Sequence, residues 1–110
     1  MRYAVRTASF MYKDMGEEDL RFEVRTIPIE VLQGVIFDDS SIDCPAVARS
    51  LFEDYGIYVP LVSGEHRLDI MPGDTLYAFT SKDGKQLWSP DVKLGKDVEI
   101  VVKEYTISSL

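Results

Sequence analysis

The sequence predicts an α+β fold: a five- or six-stranded mixed β-sheet with one principal amphipathic helix packed on it. Three observations carry this expectation. Leu20, Phe22 and Val24 alternate with Arg21, Glu23 and Arg25, the period-two pattern of a half-buried strand. Residues 43–56 carry the punctuation of one helix, with Asp43 as N-cap, Pro45 near the first turn and Gly56 just past the end. The other apolar runs are short and bounded by Gly, Pro and Asp, as strands joined by turns are.

Taken in order, residues 2–12 begin as a strand with a mixed face pattern, and residues 13–19, charged and containing Gly16, read as a loop. Pro28 interrupts the strand of residues 20–25 and leaves a sheet edge or a turn. Residues 29–37 read as a short helix or turn followed by a buried strand at 35–37. In the helix, Val47, Leu51, Phe52 and Tyr55 share one face, while Arg49, Glu53 and Asp54 face elsewhere. Residues 66–70 read as a strand with Leu68 and Ile70 inward. Pro72, Gly73 and Asp74 form a turn by their chemistry, residues 75–80 a strand and residues 82–85 a second turn. Residues 98–107 close the chain as a strand apolar enough to be buried on both faces. One helix covers one sheet face incompletely, so a homodimer is expected to bury the other.

A chain of 110 residues is expected to be a single domain, spanning 1–110. No apolar run approaches the ~18 residues of a membrane span, so no membrane partner is expected. No apolar h-region follows the first residues, so no signal peptide is read. The single Cys44 has no internal disulfide partner, which suits the cytoplasm. With one Cys and one His, thiolate metal centres are excluded, and neither a metal nor another cofactor is expected.

The net charge is −7, and residues 27–80 hold the whole imbalance: nine acids against Arg49 and Arg67. A protein that grips a polyanion shows the opposite balance, so duplex DNA is not an expected partner. The acidic middle has two readings, a solvated surface that maintains solubility, or a face that occupies a basic groove on a partner protein.

Motifs for phosphate loops, nucleophile elbows and zinc proteases are absent. Asp38 and Asp39, like the acids at 17–19, read as solvated loop carboxylates before they read as metal ligands. Cys44 sits at a helix start, where a dipole favours thiolate, but a small packed thiol is the simpler reading. His66 is the default acid–base candidate, because histidine ordinarily titrates near neutral pH.

From residue 35 the order of segments becomes distinctive. Val35-Ile36-Phe37-Asp38-Asp39-Ser40-Ser41-Ile42 leads into the helix and then to Gly56-Ile57-Tyr58-Val59-Pro60. His66-Arg67-Leu68-Asp69-Ile70, the Pro-Gly-Asp turn and Leu76-Tyr77-Ala78-Phe79 follow. This order resembles the viral ring nucleases of archaeal viruses and phages, a family that opposes type III CRISPR defence by binding and degrading cyclic tetra-adenylate. The likeness extends over most of the chain. It implies a ligand-contacting loop at Thr7 and Ser9, a hydroxyl pair at Ser40 and Ser41, a strand arginine at Arg67 and a loop cation at Lys82. Asp38 stands where the family has its catalytic histidine.

In the family, a ribose 2′-hydroxyl attacks the adjacent phosphate without metal while the histidine protonates the leaving oxygen. An aspartate is ordinarily ionised at neutral pH and has no proton to give. Three readings follow. The first is an anti-defence protein, encoded by a phage or mobile element and acting in the host cytoplasm, that binds a cyclic oligonucleotide or blocks a host defence protein. The second is an acidic protein-interaction module that inhibits a nucleic-acid-binding partner and has no small-molecule site. The third is a weak ring nuclease that uses His66 in place of the missing histidine.

Overall fold

A computed structural model describes residues 1–6, 20–63, 66, 68–87, 94 and 99–109. Its described elements are β1 (Arg2–Val5), β2 (Leu20–Ile27), a 3-10 turn (Ile29–Leu32), β3 (Asp39–Ser40), α1 (Pro45–Tyr55), β4 (Thr75–Ser81) and β5 (Ile100–Ser109). The strands form one five-stranded mixed sheet in the order β2-β5-β4-β1-β3, so the α+β architecture with one principal helix holds. β1 runs parallel to both neighbours, β4 and β3, while β5 is antiparallel to β4 and β2. The parallel relation of β3 and β4 requires a crossover, and α1 supplies it.

Each face of the sheet has its own core. On one, Val47 and Leu51 of α1 meet Ala4, Tyr77, Phe79 and Val102. On the other, Tyr3, Val5, Leu76, Tyr105 and Ile107 pack with Leu68 and Ile70. The second face is therefore covered within the chain, and an open sheet face does not supply the reason for a dimer. β5 is central and contributes to both cores, as its apolar run suggested. β2 is an edge strand whose Val24 is 54% exposed, and it ends at Ile27, immediately before Pro28.

Helix α1 starts with Pro45 at its first turn and stops at Gly56, whose φ of 72° is the left-handed conformation that glycine adopts without a Cβ penalty. The N-cap is Cys44, not Asp43, and it makes no side-chain capping bond. Asp43 instead turns its carboxylate to Arg6. Val47 and Leu51 are buried as expected, but Phe52 is 60% exposed. One residue turns a helix by about 100°, which carries Phe52 out of the buried stripe that Val47 and Leu51 define.

Two expected strands differ. The strand placed at 35–37 begins at Asp39, because the Asp38 carboxylate takes the Arg2 N–H (2.8 Å) and the Asp38 N–H bonds the Arg2 carbonyl (2.8 Å) before the ladder with β1 opens. Residues 66–70 do not form a strand in their described part. Leu68 and Ile70 point inward as expected, but their segment lies across the sheet face and plugs the second core. Alternate burial marks any extended segment on a core; pairing also needs a strand edge. The 72–74 and 82–85 turns form as read, with Gly73 and Gly84 at positive φ.

Candidate functional site

Because β4, β1 and β3 are parallel, their carboxyl ends share one edge of the sheet. Ligands of open α/β sheets gather outside such an edge, at the carboxyl ends of parallel strands. β1 lies between β4 and β3, the two strands parallel to it. The residue that follows it, Arg6, donates its backbone N–H to Ser41 Oγ (3.1 Å) and its guanidinium to Asp43 Oδ2 (3.1 Å). The Ser41 N–H in turn bonds the Ala4 carbonyl (2.9 Å), which extends the β1–β3 register to the start of α1. Lys82, just after β4, lies at the same end of the sheet. Its ammonium pairs with Glu99 at 3.4 Å, with both side chains more than 70% exposed, so this pair yields readily to a competing anion.

The expected ligand residues do not all gather here. Ser41 and Lys82 stand at the carboxyl edge. Ser40 is completely buried, and its hydroxyl donates to the Pro60 carbonyl and accepts the Ile42 N–H. Asp38 lies about three residues, roughly 10 Å, back along the strand direction, at the amino edge. There it lines a cleft of about 440 Å³ with Arg2, Thr75, Gly73, Met1 and Ile36. Thr7, Ser9 and Arg67 lie outside the described residues. Arg6 was not singled out from sequence. Its signal was positional, a cation directly after a strand with parallel neighbours, and that is visible only once the pairing is known.

His66 finds a partner that sequence spacing does not suggest. Its Nε2 lies 2.7 Å from Asp39 Oδ2, and each side chain is about one-third exposed (35% and 34%). Asp39 sits on the face opposite Ser40, the face crossed by the segment that contains His66. A carboxylate against an imidazole fixes the ring and supports proton transfer. Nearby, Tyr3 donates to the Asp69 carbonyl (3.5 Å), and burial first, then Asp74 and its neighbouring acids, pushes its phenol above the ordinary value.

A second polar group lies on the helix-covered face. Glu104 receives Arg25 Nε at 2.6 Å and bonds the Tyr77 hydroxyl. The Arg25 bond holds the Glu104 carboxyl below its usual range, against the opposing effect of burial and with help from Tyr77. Burial raises the Tyr77 phenol, and the bond to Glu104 adds to it. Among the described residues, no three His, Cys, Asp or Glu side chains gather to hold a metal ion, and no helix is long and apolar enough to cross a membrane. No protein-family model matches the chain, and no curated protein matches it.

Proposed function

We propose that the protein is a ring-nuclease-like anti-defence protein that binds a cyclic oligonucleotide at the carboxyl edge of β4, β1 and β3. One observation supports the reading: β1 ends between two parallel neighbours, with Arg6 and Ser41 hydrogen-bonded at that end and Lys82 at the same end of the sheet, about three residues, roughly 10 Å, further along. Guanidinium, hydroxyl and ammonium groups are the donors that a phosphate ring uses. The segments that form this edge are those whose order resembles the viral ring nucleases. Asp38, which stands in the place of the family's histidine, holds a backbone N–H at the opposite edge. Binding without rapid cleavage follows from that.

Calorimetric titration with cyclic tetra-adenylate tests the proposal, with product analysis of the same mixture. The parent protein binds and releases little linear product. A charge-assisted phosphate contact contributes about 1.5–3 kcal/mol, so Arg6→Ala and Arg67→Ala each weaken binding about 10- to 150-fold. No binding by the parent protein overturns the reading and favours the acidic protein-interaction module. The His66–Asp39 pair supports a second reading, slow metal-independent cleavage with His66 as the proton donor. Linear product that disappears in His66→Ala, with affinity retained, selects that reading over simple binding.

A further inference from the structure

The two outer strands of the sheet are defended unequally. The edge at β3 is two residues long, and residues 60–62 are tied to it: Ser40 Oγ donates to the Pro60 carbonyl, and the Val62 N–H bonds the Ile42 carbonyl at 3.0 Å. The edge at β2 is eight residues long and pairs with β5 in an unbroken register, from Leu20 opposite Ser109 to Ile27 opposite Val102. Among the described residues, no strand or bridge pairs with its outer side. Sheets ordinarily guard a long edge with a bulge, a proline, a lysine or a covering loop. Residues 20–27 hold no proline and no lysine, their register holds no bulge, and Val24 stands 54% exposed at the middle. Phe22 and Val24 lie on the face of the second core, where Phe22 packs and where Tyr105, opposite Val24, is buried. Arg21, Glu23 and Arg25 lie on the other face and are exposed. Arg25 holds Glu104, whereas neither Arg21 nor Glu23 makes an ion pair with the described residues.

We propose that the outer edge of β2 takes up an extended segment of a partner protein as a further strand, and that this segment alternates apolar and charged residues. In strand addition, main-chain hydrogen bonds supply the affinity and alternate side chains choose the partner. The order Arg21, Glu23, Arg25 selects an acid, a base and an acid at the facing positions, because like charges directly opposite destabilise a ladder. Phe22 and Val24 select apolar residues between them, which extend the rim of the second core over the exposed Val24. Two arginines against one glutamate also make β2 cationic within a chain of net charge −7, so a segment with an acidic balance is drawn to this edge. A second copy of the chain would bring the whole net charge of −7 against itself, a repulsion that a short segment does not meet. The edge lies at the opposite end of the strand order from β3 and shares no residue with the proposed nucleotide site.

Amide exchange in β2, followed by NMR, tests the proposal with a capped peptide of sequence Thr-Glu-Val-Lys-Val-Glu-Thr. In the free protein, alternate β2 amides, those that face away from β5, exchange as exposed backbone does. With the peptide at about ten times its dissociation constant, their exchange slows about tenfold. A peptide with its charges exchanged binds about tenfold more weakly. N-methylation of alternate peptide residues abolishes binding in one phase of the alternation and spares it in the other, because only every second N–H faces β2. Val24→Lys installs a guard on the edge and weakens the peptide about tenfold or more. Its far-UV spectrum and melting temperature stay those of the parent, because Val24 belongs to neither core. Outward β2 amides already protected in the free protein overturn the proposal. So does protection that grows with protein concentration and needs no peptide, the mark of a second copy. Exchange that the peptide leaves unchanged, or equal affinity for the charge-exchanged peptide, overturns it as well. No nucleotide enters the assay, so it fails separately from the ligand reading.

Discussion

Glu104 shows how much a single residue on a central strand determines. Its carboxylate takes Arg25 Nε at 2.6 Å and the Tyr77 hydroxyl, while the Tyr77 ring stands edge-on to Phe37 at 5.8 Å between centroids. The Arg25 bond depresses the Glu104 carboxyl below its ordinary value of 4.5, so the ionised form stabilises the fold. For a depressed acid, that contribution is fully present above pH 4.5 and is lost as pH falls through the lower folded-state value. Glu104→Gln therefore lowers the melting temperature by a few degrees at pH 7, and its deficit closes as the solution is acidified below pH 4.5. Parallel melting curves from pH 7 to pH 3 check this, and a constant gap across the range would show that ionisation is irrelevant. The pair was hidden in the sequence because Arg25 and Glu104 are joined only by the β2–β5 register. His66 and Asp39 were hidden as well, because they meet where a segment outside the strands packs on the other face of the sheet.

Helix α1 was legible at its ends because capping chemistry is local. Pro45 and Gly56 act within one turn of themselves, whatever the rest of the chain does. Gly56→Ala meets no atom within 4 Å, so its cost is backbone strain alone at a φ of 72°. That cost is about 1–2 kcal/mol. The buried face was less legible, since a stripe of i, i+4 and i+5 positions does not say where the core ends. Leu51 is fully buried and Phe52 is not. Leu51→Ala therefore costs about 2–5 kcal/mol, whereas Phe52→Ala costs about 0.5 kcal/mol or less. Chemical denaturation of the three variants checks the order, and an equal loss at residues 51 and 52 would return Phe52 to the core. The segment at 66–70 gave the converse lesson. Its alternation marked burial correctly, but no local signal says whether an extended run joins a sheet or lies across one.

At the scale of the whole molecule, the sheet has polarity, and the polarity sorts residues that the sequence places side by side. Residues 38–41 read as one motif, yet their register on β1 sends them to different fates. Asp38 secures Arg2 at the amino edge, Asp39 meets His66 on one face, Ser40 is sealed under the other, and Ser41 braces Arg6 at the carboxyl edge. A linear motif was legible, but its division was not, because the division depends on parallel pairing with residues 2–5. Asp38→Ala and Ser41→Ala should therefore separate. Asp38→Ala removes one exposed hydrogen bond and costs about 0.5–1.5 kcal/mol of stability, while the affinity proposed for a cyclic oligonucleotide remains within about twofold of the parent, since the carboxylate lies an edge away from the proposed site. Ser41→Ala removes a hydroxyl from the proposed site and the bond that places the Arg6 backbone, and weakens binding about tenfold, while Asp43 still holds the guanidinium. Titration and melting of both variants read the two effects independently. Equal loss of affinity in both would mean that the ring spans the strands from edge to edge, and the carboxyl-edge site would have to be abandoned.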